Sequence, residues 1–289
     1  MTSKLTSNPT QIPYQTHLTI NNLVFVDNTV WITNSHQAMQ QILNTASQFY
    51  NMCDIEINSK KTEVIYYKPT EIPPTTELYI RTTSNQIQIL PPNICTKYLG
   101  LYINANGTFN TQLNKIRSDI TLISNLLNRK CIIDKQAIYI INQVLIPAFE
   151  YRSQLFIVSK TECNKLMRQL KKVVKSKARL SLSFPDSVLH HPKFFALDHL
   201  WSTQTCAKIT ELFYRLNDPL ILGLATHIRL QYLQEQRWLH YSIISHPTPE
   251  PSPQGKNLIA SILPLMYEHN ISFTNSNTNN HLLTNNHTR

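Results

Sequence analysis

Glycine is nearly missing from this chain, with four residues in 289. Rossmann fingerprints and phosphate-cradling loops each need several glycines within a few positions, so the glycine-dependent nucleotide-binding enzymes are excluded at once. Charge is scarce too, at 15 % of residues, well below the usual quarter, and the deficit is filled mostly by Asn, Thr and Gln. Negative charge is scarcest. Against 27 Lys and Arg stand 17 Asp and Glu, a formal +10, which points to a polyanionic partner such as RNA or DNA. The five cysteines, Cys53, Cys95, Cys131, Cys163 and Cys206, are widely scattered. No close pair offers two thiolates to one zinc, and a reducing, intracellular setting is expected, with no choice between nucleus and cytoplasm. No apolar run approaches the roughly 18 residues of a membrane span, and the polar N-terminus has no apolar stretch before a cleavage site, so a soluble chain without a secretory address is expected. With 42 % hydrophobic residues, the chain is long enough for one large domain or two ordinary ones.

What is present is organised in two styles. Residues 18–33 carry β-branched and aromatic residues on both sides of Asp27-Asn28, a pair suited to a tight turn, so a hairpin is expected. Asn34 and Ser35 can cap a following helix whose apolar positions Met39, Ile42, Leu43, Ala46, Phe49 and Tyr50 recur at threes and fours. Short strands are expected at 55–57, 63–67, 77–81, 86–90 and 98–103. From about residue 110 the period changes to 3.6, first in Leu113, Ile116, Ile120, Ile123 and Leu127. Further helices are expected near 134–146, 160–180, 200–216 and 219–236, with Pro147, Pro185, Pro192 and Pro219 as punctuation. A proline-rich spacer near 247–255 then leads to an Asn/Thr-rich end with too few apolar residues to offset the entropy of ordering.

Four features stand in one order along residues 18–200. Phe25-Val26-Asp27-Asn28 lies within a hydrophobic hairpin; Asn58 to Thr62, reading Asn-Ser-Lys-Lys-Thr, precedes another strand; Lys97-Tyr98-Leu99-Gly100 follows; and Leu145-Ile146-Pro147 with Tyr151 falls in the helices. This series resembles the C-terminal part of a non-LTR retrotransposon reverse transcriptase, an RNA-directed DNA polymerase. The resemblance implies an α+β fold: an incomplete antiparallel palm sheet with a helix, followed by a mostly helical thumb-like domain. It implies Asp27 as a Mg²⁺ ligand and catalytic remnant, Lys61 near an incoming triphosphate, and Tyr98, Leu99 and Gly100 as a primer-grip-like step. Read without the resemblance, Asp27-Asn28 is a turn, Lys61 a solvated loop lysine and Tyr98 to Gly100 an ordinary strand with a close backbone approach. The expected division is a flexible 1–17, a partial palm at 18–108, a thumb-like 109–246, and a linker with a largely disordered tail at 247–289.

The departures from that family set the expectation for activity. Two-metal phosphoryl transfer needs bridging carboxylates. Asn28 stands where the family has a second hairpin aspartate, and residues 1–26 contain no acidic side chain. Loss of a bridging carboxylate removes several kcal/mol of transition-state stabilisation, so the chain is expected to be inactive alone and to need Mg²⁺ only if activity remains. Three hypotheses follow: a truncated retroelement-derived protein that at most binds nucleic acid; the catalytic half of a split or mis-started polymerase that requires an upstream fragment; and a non-enzymatic interaction module.

A second constellation is independent of the resemblance. Residues 160–179 hold eight basic residues and one acidic, Glu162. At 100° per residue Lys165, Arg168, Lys171, Lys172, Lys175 and Arg179 fall on one side of a helix, opposite Leu166, Leu170, Val173 and Val174. Such a face suits phosphate-backbone contact, a solvated surface or an anionic membrane surface. Phe184, Phe194 and Phe195 can stack on bases, although core packing is the simpler role. His190, His191, His199 and Cys206 match no familiar zinc spacing.

Overall fold

The structure is a computed structural model that describes residues 20, 22–26, 28–67, 77–80, 85–249, 257–273 and 283–285. It is α+β, with long helices and short strands, and divides into two compact units at Asn114 and Lys115.

In the first unit β1 (Asn22–Phe25) and β2 (Asn28–Trp31) form the expected hairpin, in the register Asn22 to Trp31 and Phe25 to Asn28. Asn28, expected in the turn, is therefore the first residue of β2. Val26 takes a left-handed φ of 54°; Asp27 lies outside the described residues. The helix α1 (His36–Met52) starts at Ser35, whose Oγ accepts from the Ala38 N–H at 3.2 Å. Its Leu43 is 1 % exposed and packs with Leu78, Ile80 and Ile87. Phe49, expected on the same stripe, is exposed, and Ser47 is buried one turn after Leu43 instead.

Strand β5 (Asn85–Leu90) lies between β3 (Glu63–Ile65) and β4 (Leu78–Ile80). Leu78 and Ile80 face inward and Tyr79 outward, as the period of two requires. The expected antiparallel sheet holds for β4 and β5, but β3, on the other side of β5, runs parallel to it. Gln40 on α1 clamps Tyr79: its Oε1 accepts from the Tyr79 N–H at 3.0 Å and its Nε2 donates to the Tyr79 carbonyl at 2.8 Å. Residues 55–57 are not a strand; they follow a left-handed Asp54 that turns the chain after α1. The expected strand 98–103 is also corrected. It is a hairpin, β6 (Thr96–Tyr98) and β7 (Leu101–Ile103), closed by Leu99 and Gly100 at φ 47° and 81°.

The second unit is built mainly from α2 (Asn110–Arg129), α3 (Asp134–Ile140), α4 (Ile146–Arg152), α5 (Lys160–Lys177), α6 (Asp186–His190), α7 (Leu200–Asn217), α8 (Ile221–Gln236) and α9 (Leu258–Glu268). Pro147 does not end a helix as expected. A π-helical turn, Ile141–Leu145, leads into α4 with Pro147 in its first turn, where a missing N–H costs least. Helix α7 packs on α4, α5, α8 and α9. Gln204 on α7 clamps Val158 at 2.9 and 3.0 Å, as Gln40 clamps Tyr79. Asn142 likewise donates to the Ala196 carbonyl at 2.8 Å and accepts from the Asp198 N–H at 3.1 Å. The amide-rich composition thus serves as a set of backbone brackets.

Gly223 is required where α8 starts: a Cβ there would lie 1.9 Å from the Asp218 carbonyl oxygen. Elsewhere helices stop without glycine. Asp54, Arg179 and Trp238 each follow a C-cap residue at φ between 52° and 56°, and the next N–H bonds to the carbonyl five residues back, as in a Schellman motif. The apolar stretch within the expected linker and tail is ordered. Helix α9 is buried at Ile259, Ala260, Ile262 and Leu263, and β8 (Ile271–Phe273) pairs with β9 (Leu283–Asn285). The apolar residues of α9 outweigh the polar composition around them. No described helix is long and apolar enough to cross a membrane.

Candidate nucleic-acid interface

Helix α5 begins where Ser159 Oγ accepts from the Glu162 N–H at 3.3 Å, with the Glu162 carboxylate at the positive end of the helix. Cys163, Leu166, Met167, Leu170, Val173 and Val174 form its buried face. Burial pushes the Cys163 thiol up to about 12, so this cysteine is a packing group. The helix ends where the Leu180 N–H bonds to the Lys175 carbonyl at 2.9 Å.

The eight basic residues then divide by environment. Lys160 pairs with Glu268 at 2.7 Å, and its ammonium lies 5.9 Å from the Trp201 ring centre. Lys177 donates to the carbonyls of Asn128 and Lys130 at 3.1 and 2.7 Å, closing the C-terminal end of α2, where a cation is favoured. Lys175, expected on the outward face, is buried. Its Nζ donates to Asp186 at 2.7 Å and to the Leu182 carbonyl at 2.9 Å. Lys171, also expected there, is half-buried and reaches the other Asp186 oxygen at 3.0 Å. Both lie at the edge of the helical wheel nearest the packed face, and α6 brings Asp186 against them. Hydrogen bonds from Lys175 and then Lys171 hold the Asp186 carboxyl below its ordinary range.

Lys165, Arg168, Lys172 and Arg179 remain outward and exposed. Only Lys165 has a carboxylate nearby, Glu162 at 3.9 Å. That carboxylate belongs chiefly to Arg117, whose guanidinium lies at 2.6 Å and holds the Glu162 pKa down. Among the described residues no acidic side chain pairs with Arg168, Lys172 or Arg179. The Lys177 bond also places Arg129 and Lys130, both exposed, beside the end of this stripe. Periodicity within α5 holds no trace of them, because α2 supplies them. Phe194, for which core packing was the simpler expectation, is 69 % exposed and lies against His191 at 5.2 Å. Phe184 and Phe195 are partly buried.

Of the catalytic-remnant and primer-grip-like positions, Asp27 lies outside the described residues. Lys61 closes an exposed 3₁₀ turn, Ser59–Lys61. Tyr98, Leu99 and Gly100 form one hairpin corner and are partly buried. Among the described residues no three His, Cys, Asp or Glu side chains gather as a metal site. His190, His191 and His199 each commit a ring nitrogen to backbone, at Leu197, Lys193 and Trp201. Cys206 lines a groove of about 700 Å³ beside α7 with Glu150, Glu211 and Tyr214, where burial raises the Glu150 pKa.

No protein-family model matches the chain, and no curated protein matches it either.

Proposed function

We propose that this chain is a retroelement-derived, reverse-transcriptase-like polypeptide that holds nucleic acid on the outward side of α5, without synthesis of its own. The single observation that carries the binding half is the run of exposed cations, Lys165, Arg168, Lys172 and Arg179, three of them with no described acidic partner. Two lysines of the same helix are withdrawn onto Asp186, so the outward charge is selected by packing and not by composition. The ancestral half rests on the motif order and on a strand-rich unit followed by helices, a palm and thumb in this reading. With a neutral amide at Asn28, too little negative charge is present to hold the pair of Mg²⁺ ions that polymerisation needs.

The test is retention of a labelled single-stranded RNA and of an RNA–DNA hybrid across a salt series. Three or four neutralised phosphates on a single strand predict a slope of about −2 to −3 in log K against log salt. Lys165→Glu with Arg168→Glu and Lys172→Glu abolishes retention, whereas Lys171→Met leaves it nearly unchanged. Absence of binding at about 50 mM salt refutes the proposal, since the phosphate contribution is large there.

One observation favours a second reading, a polymerase completed by an upstream polypeptide. Strand β1 is exposed along its whole length, with Leu23, Val24 and Phe25 at 45 %, 63 % and 58 %, and its only described pairing is with β2. An open apolar strand edge is a template for further pairing. Under this reading Mg²⁺-dependent primer extension appears when the upstream polypeptide is supplied, and Asp27→Ala abolishes it.

A further inference from the structure

The segment after α8 carries a surface that neither the motif order nor the charge pattern marked. Trp238 is 93 % exposed, the most exposed of the described large hydrophobic residues, in a chain whose Trp201 is buried. It holds φ 52° just beyond the α8 cap, fixed by the Trp238 N–H to the Glu235 carbonyl at 3.0 Å and the Leu239 N–H to the Gln234 carbonyl at 3.1 Å. Glycine is the favoured residue at that position, and a bulky side chain there is strained. Two residues on, the rings of His240, Tyr241 and His246 follow one another edge to face at 5.2 and 5.5 Å. His240 and His246 are exposed.

The support beneath these rings is rigid. Ser242, Ile243 and Ile244 are buried, the Phe273 N–H donates to the Ile244 carbonyl at 3.1 Å, and Ser245 Oγ donates to the Phe273 carbonyl at 3.0 Å. Residues 237–249 contain an arginine and two histidines and no acidic residue. An exposed indole face, followed in the chain by a non-acidic cluster of edge-to-face rings, on a chain of net charge +10 matches a nucleobase attached to a phosphate backbone.

From this arrangement we infer that Trp238, with the neighbouring His240, Tyr241 and His246 rings, is a stacking platform for an unpaired base of single-stranded nucleic acid. This rests on the nucleic-acid reading and adds to it a contact indifferent to salt and closed to duplexes, whose bases are already stacked.

The experiment uses the full chain, a labelled oligouridylate and an RNA duplex of equal length. Intrinsic tryptophan fluorescence and anisotropy are followed together. The single strand quenches the wild-type emission, and Trp238→Gly removes the quench and weakens single-strand binding about tenfold, the scale of one base–aromatic stack. It leaves the salt slope and duplex binding unaltered. Trp238→Phe keeps most of the affinity. Trp238→Gly removes a strained side chain and stays folded, so its loss of binding is not a loss of structure. Single-strand binding that is salt-dependent yet indifferent to Trp238→Gly overturns the platform and leaves the α5 reading standing; no binding of either oligonucleotide overturns both. A blue shift with phosphatidylserine vesicles, and none of the oligouridylate effects, identifies the surface as membrane-binding and also overturns the platform.

Discussion

Replacing Asp186 by alanine tests directly how α5 divides its charge. Its carboxylate accepts from Lys175 at 2.7 Å and Lys171 at 3.0 Å; the Lys175 side chain is 8 % exposed and that of Asp186 49 %. In Asp186→Ala the buried Lys175 ammonium keeps the Leu182 carbonyl and loses its counter-charge. Breaking a buried pair costs about 3–5 kcal/mol and an exposed pair about 0–1. With one partner buried and the other half in water, about 2 kcal/mol is expected. For a unit of this size that is a fall of about 4–8 °C in Tm, read by far-ultraviolet circular dichroism at neutral pH. Lys175→Met keeps Asp186 paired with Lys171 and fills the site with an apolar stem, so its cost stays below about 1 kcal/mol, as for other buried pairs exchanged for hydrophobes. The double variant is then less destabilised than Asp186→Ala alone. The Asp186 contribution is complete above the pKa of an unfolded aspartate and is lost as pH falls through the lower folded value, so the difference between wild type and Asp186→Ala narrows in acid. If both single variants leave Tm within about 1 °C, Lys175 is a solvated lysine and the division of α5 into inward and outward cations fails.

Two further changes probe each unit by itself. Burial first, then His190, Lys171 and Lys160, hold the His199 pKa below 6.5; the unfolded chain takes up a proton that the folded chain resists, so stability declines as pH falls through that value. His199→Asn keeps an acceptor for the Trp201 N–H, now at 3.2 Å, and flattens the decline; identical urea midpoints for the two chains across this pH range would exclude the effect. Gln40→Ala removes both bonds to Tyr79 and costs about 1 kcal/mol, because water can replace them in part. The Tyr79 amide then exchanges faster, and an unchanged exchange rate shows that the bracket holds nothing.

Much of the local structure was legible because its causes are local. Ser35 and Ser159 cap helices through their own hydroxyls, and the stripe Ile116, Ile120 and Leu127 is buried as its spacing requires. The period alone misled where an unusual backbone conformation intervened or no packing partner stood opposite. A period of two spans 98–103, yet the positive φ of Leu99 and Gly100 folds it into a hairpin. Phe49 has the right period for burial but no described core residue opposite it, and it stays in water. Pro147 carries a stop signal, which the π-helical turn before it absorbs.

By itself the sequence determined that α5 is amphipathic and cationic, because side-chain direction around a helix follows from residue spacing alone. Which cations meet solvent was decided by the tertiary structure. Asp186 arrives from α6 to neutralise Lys171 and Lys175, and the end of α2 takes up Lys177. A helical wheel carries angles and no neighbours, whereas the energy of a charged group depends on how much water and which opposite charge lie within a few ångströms.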